Sequence, residues 1–560
     1  MSDSSEQPQT VSSWNLWRNP IFRRYCKSQL RPVSTAIWAI TVLVFTTFCF
    51  LMVYIGTTQF GDSEPREAAR LAMIPVLVIQ GLILMLIGTG ATTIGYVREA
   101  DEGITEYQRL TPMKPLAKVL GFLFGLPIRS YLLVGLTMPF TIFCVVKGEI
   151  PMRSVLEVYT MFFVSGILYH LTGLLAGTVL KRRLMAGVLS MGLVFCINFV
   201  LPAILRRSGY QFLFYTTVWP VLQLHGSGLM LDSVNPVPTE LKNFNADSIS
   251  VQFFNWNIPT FFFGLIVQGF LIFTFGLIIY RKWKSERSHL LSKNFTVLAY
   301  SGILILFLGT SLPLMETGRI FPSMSTQFGQ NYMRPLGMQG SFPEGWGLAG
   351  FCGLVTLIIA NILIQIVTPN RDGLIKGLRR AHKENLSGPG FGADEATALW
   401  HTIVIAVLGA VAWFWFTDSL FDSKWYDDHS LPGHAFFLML PVFLFATVCF
   451  VCTLQMSGKG ALWMAMLFAW IVPLLAAGVL FAAKQYVPGI YLTSPSAFAA
   501  FFSSLAILLD GPDFENLKHL KATFWIWLAL HAFLSLLLVA MLQSRQSQLK
   551  HLILGESGRD

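Results

Sequence analysis

A chain of 560 residues that is 54% hydrophobic and only 12% charged, with a mean hydropathy of +0.59, does not have the composition of a soluble globule. Its net charge of +10 does not point to nucleic acid, because the Lys and Arg residues lie between apolar runs rather than in an aromatic-interleaved patch. The runs do not alternate polar with apolar, which excludes a strand barrel, and at roughly 20 residues each they suit helices crossing a hydrocarbon core of about 30 Å.

Residues 1–35 are expected to form a cytoplasmic tail and an interfacial helix. WNLWRNPIFRRYCKSQLR, residues 14–31, mixes Trp14, Trp17, Ile21, Phe22 and Tyr25 with basic residues that include Arg23 and Arg24. Such a segment lies along the inner leaflet, its aromatics at headgroup depth and its cations near anionic lipid. The first 30 residues lack a signal-peptide core and are expected to stay in place.

Twelve spanning helices are predicted, at 36–55, 72–96, 128–146, 155–180, 184–205, 258–280, 295–314, 346–367, 398–417, 434–455, 462–482 and 524–542. With the N-terminus inside, Lys and Arg favour the inner segments by roughly two to one, which places both termini in the cytoplasm. The fold class is therefore an all-α polytopic membrane protein. Two long outer connections punctuate it, 206–257 and 483–523, each with a proline followed by a modest apolar run, WPVLQLHGSGLML and SPSAFAAFFSSLAILL. Both connections, over stretches that include 212–224 and 494–509, read as re-entrant or interfacial. Basic or glycine-containing turns, KRRLMAG and SGKGALWMA, precede each fifth-type helix, so the chain reads as two six-helix halves, 36–290 and 291–545, followed by a cytoplasmic tail, 546–560.

Between the second and third helices lies GITEYQRLTPMKP, residues 103–115, where Ile104, Tyr107 and Leu110 recur every three residues beside Glu102, Glu106, Gln108 and Arg109. That spacing predicts a short amphipathic helix ending near Pro112. TPNRDGLIKGLRRAHKEN, residues 368–385, occupies the equivalent place in the second half, with Leu374, Ile375 and Leu378 flanked by Lys376, Arg379 and Arg380. Each segment either rests in the headgroup layer as a connector or docks a cytoplasmic partner.

Polar residues within the spans are few: Gln80, His170, Asn198, Gln268, Asn361, Gln365 and His531. An ion-coupled carrier needs a titratable group at depth, and His170 and His531 are the candidates. The seven cysteines lie in or beside apolar segments, so no disulfide framework is expected, and Cys449 and Cys452 read as packing residues. GTGATTIG, residues 88–95, lies inside a span and reads as close helix packing rather than a nucleotide loop, and the same holds for GFLFG and GLLAG. Asp427, Asp428, His429 and His434 have metal-ligand chemistry but read as a solvated loop. The acceptor patterns at Asn294 and Asn385 fall on the inner side and carry no weight. The chain contains no GxxxxGK[ST], HExxH or GxSxG sequence.

Taken together, the NPI-x-R pattern at Asn19, Pro20 and Ile21, the six spans after it, the segment with Glu102, Gly103, Glu106, Leu110, Thr111 and Pro112, and the broken hairpin between the fifth and sixth spans resemble the permease subunits of ABC exporters of drugs, polysaccharides and lipids. The resemblance is best over residues 14 to about 280. It implies that residues 102–115 contact a separate P-loop ATPase subunit, that the chain binds no cofactor and is no enzyme itself, that a partner hydrolyses the ATP, and that the membrane is a bacterial cytoplasmic one. Those permeases are commonly six-helix subunits that pair, whereas this chain carries twelve spans and its second half lacks an evident elbow; pairing with a second copy or another permease stays open. The alternatives are an ion-coupled twelve-helix carrier and a non-catalytic scaffold of an envelope complex.

Overall fold

The computed structural model describes residues 15–61, 64–201, 209–230, 250–285, 288–317, 342–386, 388–423, 431–508 and 517–557. Trp14, Asp427, Asp428 and His429 lie outside the described residues. The chain divides into two compact units, Met1–Arg206 with Phe212–Arg287, and Arg207–Gln211 with Ser288–Asp560.

Proline and glycine set the element boundaries of the first unit. Asn19 caps α1 (Pro20–Gln29), and Pro20, Pro32 and Pro65 open α1, α2 (Pro32–Phe60) and α3 (Pro65–Gly81), where a missing amide proton costs no helical bond. α3 passes through π-helical turns at Leu82–Ile87 into α4 (Gly88–Asp101). Gly103, at φ 70°, turns the chain into α5 (Ile104–Leu110). Thr111 is extended, as a residue before proline prefers, and Pro115 opens α6 (Pro115–Gly125). The unit continues through α7 (Ile128–Lys147), α8 (Met152–Val179), α9 (Arg183–Phe195), α10 (Trp219–Met230), a hairpin of β1 (Ser250–Phe253) with β2 (Trp256–Pro259), and α11 (Thr260–Lys284). The hairpin is antiparallel, with Val251 opposite Ile258. Phe122 anchors one core, with Tyr25, Tyr96 and Trp283 around it at ring distances of 5.5, 5.6 and 5.1 Å.

The second unit contains α12 (Lys293–Thr317), α13 (Phe342–Val367), α14 (Arg371–Lys383), α15 (Leu399–Phe421), α16 (Ala435–Met466), α17 (Val472–Ala482), α18 (Tyr486–Leu492), α19 (Ala497–Leu508) and α20 (Leu517–Ser557). Phe501 meets the rings of Trp413 and Phe443 edge to face, and the Trp413 indole donates to the carbonyl of Ala349 at 2.7 Å. The hydroxyl of Tyr210 donates to Cys352 O at 2.9 Å within the same unit.

Among the described residues, eleven helical segments are long and apolar enough to cross a membrane, or twelve if the pair α18–α19, bent by 116°, counts as one broken span. The protein is a multi-pass membrane protein. The two spans expected at 434–455 and 462–482 belong to one 48-residue helical run, Ala435–Ala482. The break between them is a single residue, Gly458, with φ 79° and ψ 179°, a region essentially reserved for glycine. Neither α18 nor α19 is long enough to cross a bilayer alone, so the bent pair over 486–508 is either one broken span or a re-entrant loop.

Candidate functional site

The segment expected to be amphipathic is helical, but it sits the opposite way round from a core-packed helix. α5 buries its polar Thr105 and Gln108, leaves Tyr107 and Leu110 at 71% and 85% exposure, and half-buries Ile104. Ion pairs precede it and hydrogen bonds meet its last carbonyls. At the start, Arg98 pairs with Glu102 at 2.9 Å, and Arg183 at the head of α9 reaches Asp101 at 2.9 Å and Glu102 at 3.8 Å. At the finish, Lys118 Nζ donates to the carbonyls of Arg109 and Thr111 at 3.1 and 3.2 Å. Lys118 is 3% exposed; burial, helped by the charge of Arg109, lowers its pKa. Two carbonyl dipoles compensate the buried ammonium, just where Thr111, extended before Pro112, ends the helix.

The other residues of this segment have distinct places. Arg109 turns inward, its guanidinium 5.8 Å from the Trp283 ring. Glu106 and Pro112 are exposed, Thr111 is half-buried, and the Thr111 hydroxyl donates to Gln108 O at 2.6 Å. Gly103 is exposed and, at φ 70°, supplies the turn.

α1 packs on α6 beside this corner. Asn19 is the joint: its Oδ1 accepts from the amides of Ile21 and Phe22 at 3.0 and 3.4 Å, and its Nδ2 donates to Ala117 O at 2.6 Å. Gly121 and Gly125 admit Ile21 and Tyr25; a Cβ at either glycine would lie 2.9 Å or less from them. Arg24 pairs with Glu99 at 3.0 Å, Arg23 donates to Trp17 O at 2.5 Å, and Trp17 is exposed. Burial and the nearby Glu99 charge raise the pKa of Tyr25.

The counterpart in the second unit is built differently. α14 buries Leu374, Gly377 and Ala381, and Glu395 lies over it: a Cβ on Gly377 would meet Glu395 at 2.4 Å, and Arg380 pairs with Glu395 at 3.1 Å. Lys376, Arg379 and Arg380 are exposed. The loop that carries Glu395 is gripped by Lys293, whose Nζ donates to the carbonyls of Ala393 and Ala396 at 2.7 Å each.

Most of the polar residues inside the spans bond to neighbouring hydroxyls and backbone carbonyls. Gln80 donates to Thr137 and Thr141 at 3.0 and 3.1 Å and accepts from Tyr159 at 2.7 Å. His170 Nε2 lies 2.9 Å from Leu84 O, in the π-helical stretch, so Nε2 carries the proton and Nδ1 takes the Tyr131 hydroxyl at 3.0 Å. Asn198 donates to Val194 O and accepts from Tyr169; Gln268 donates to Tyr215 O and Thr217 O and accepts from Ser165. His531 stacks on Trp527 at 4.4 Å. Asn361 is buried with its Oδ1 unpartnered, and Gln365 is half-buried further along α13. At the start of α8, Glu157 joins Arg153 and His225 at 2.8 Å each. No group of three or more His, Cys, Asp or Glu side chains placed to hold a metal occurs among the described residues.

Lys118, Arg183, Trp283 and Glu395 are the participants that sequence reasoning missed. Lys118 did leave a trace, as a lone cation inside the apolar run PLAKVLGFLFG; the others become visible only once distant helices meet. No protein-family model, curated protein or solved structure matches this chain.

Proposed function

We propose that this chain is the membrane-spanning permease subunit of an ABC-type exporter, and that a separate P-loop ATPase subunit docks on α5 from the cytoplasm. The observation that carries this reading is a short helix with an uncovered apolar face: Tyr107 and Leu110 point outward, Lys118 ties the carbonyls of Arg109 and Thr111 at its end, and Arg183 pairs with Asp101 just before its start. An exposed aromatic–aliphatic pair on a rigid support is the form of an interface anchor. Closure of the ATPase on its nucleotide pushes α5, and the ties to α4, α6 and α9 pass the displacement to the spans. α14 takes the lesser part, because its apolar side is already packed and only its basic face is open. The hydrogen bonds of Gln80, His170, Asn198 and Gln268 to hydroxyls and backbone carbonyls of the bundle favour this reading over an ion-coupled carrier, since those groups are engaged in packing.

The test is affinity purification of the tagged chain in mild detergent, with mass spectrometry of what accompanies it and an ATP hydrolysis assay. A stoichiometric P-loop ATPase is expected, and Tyr107→Ala with Leu110→Ser should lower its retention by tenfold or more. A clean, ATP-inert preparation would return α5 to a connector in the headgroup layer.

A further inference from the structure

The corner where α1 meets α2 carries two adjoining hollows of opposite chemistry. The inward side of α1 is apolar, with Ile21, Phe22 and Tyr25 buried, so its cations fall on the outward side. A hollow of about 520 Å³ opens there, lined by Pro20, Arg23, Arg24, Lys27, Ser28 and Arg31, and no carboxylate is among its walls. Beside it runs a groove of about 470 Å³ between Arg31 and the first two turns of α2, walled by Val33, Ile37 and Trp38. Arg31 belongs to both.

We propose that this corner binds one anionic phospholipid, its phosphate among Lys27, Arg31 and the paired arginines, and one acyl chain along Val33, Ile37 and Trp38. The cationic hollow is partly organised in advance, because Glu99 holds Arg24 and the Trp17 carbonyl holds Arg23. Lys27 and Arg31 are exposed and supply the adjustable charge. The groove separates a lipid from a soluble phosphate. It continues onto α2, a spanning helix with only 17% of its apolar window buried and with Val33, Ile37, Ile40 and Val44 all outward. A phosphate alone gains nothing from such a wall, whereas an acyl chain laid on it keeps its hydrocarbon out of the headgroup layer.

The test uses the full chain in a non-ionic detergent, with native mass spectrometry counting adducts of dioleoyl phosphatidylglycerol, dioleoyl phosphatidylcholine or inorganic phosphate. One retained phosphatidylglycerol is expected, with phosphatidylcholine held at least tenfold less. Lys27→Gln with Arg31→Gln should weaken retention about tenfold or more, and Lys27→Arg with Arg31→Lys should preserve it. Ile37→Ser should weaken the lipid and leave any phosphate adduct unchanged. Equal retention of the two lipids would overturn the proposal, as would indifference to the double Gln variant or equal loss in the charge-preserving variant. Displacement of phosphatidylglycerol by inorganic phosphate, with Ile37→Ser inert, would assign the hollow to a soluble anion instead.

Discussion

Asn19 accepts two amide protons at the head of α1 and donates one of its own to α6, so a single side chain starts a helix and fastens it. Asn19→Ser keeps a capping oxygen but loses the reach to Ala117, and Asn19→Ala loses both. Serine is therefore expected to be less destabilising than alanine by about 1 kcal/mol in thermal unfolding in detergent. His170 answers the same logic inside the bundle. His170→Leu strands the Leu84 carbonyl and the Tyr131 hydroxyl, an expected loss of about 1–3 kcal/mol in mixed-micelle unfolding, and His170→Gln, with one donor and one acceptor, should recover part of it. The sequence shows that such residues are polar and intramembrane. It does not show that they are satisfied, because Leu84 and Tyr131 approach His170 only through the packing of α7 and α8 on the π-helical turns.

α5 shows what periodicity can and cannot say about an element. Spacing of Ile104, Tyr107 and Leu110 locates a short helix correctly, and Pro112 follows its end. Which face turns inward was not legible from the segment's own periodicity, because it depends on what packs around it: Lys118, a few residues on, ties the carbonyls at its end, and Arg183, remote in sequence, pairs just before its start. Likewise the elbow is legible from its Asn-Pro start, while its seat on Gly121 and Gly125 is not. Gly458 is the clearest case of local chemistry dictating an element boundary. Nothing lies within 4 Å of a Cβ built there, so Gly458→Ala meets no neighbour and its cost is conformational alone. A loss of about 1–3 kcal/mol is expected in detergent unfolding. Gly460→Ala, also in open space and without a positive φ, should be close to neutral.

Across the whole molecule, length and apolarity carried most of the information: the spans recur where the runs lie, apart from the fusion of two into the broken 48-residue segment. Orientation is a prediction of charge bias, and reporter fusions after residues 15 and 557 should both read as cytoplasmic. A single cysteine at Tyr107 should label from that same side; labelling only from outside would reverse the map.

The first turn of α6 has a wider consequence. Ala117 receives the tether from the elbow, and Lys118, the next residue, sends the tether to the end of α5. Adjacent residues at the start of α6 thus touch both the elbow and the end of α5. Were a ligand at the elbow to shift docking at α5, thermodynamic linkage would make the effect reciprocal. On the proposed reading, in which a lipid binds the elbow and an ATPase docks on α5, any change in ATPase affinity caused by the lipid should equal the change in lipid affinity caused by the ATPase.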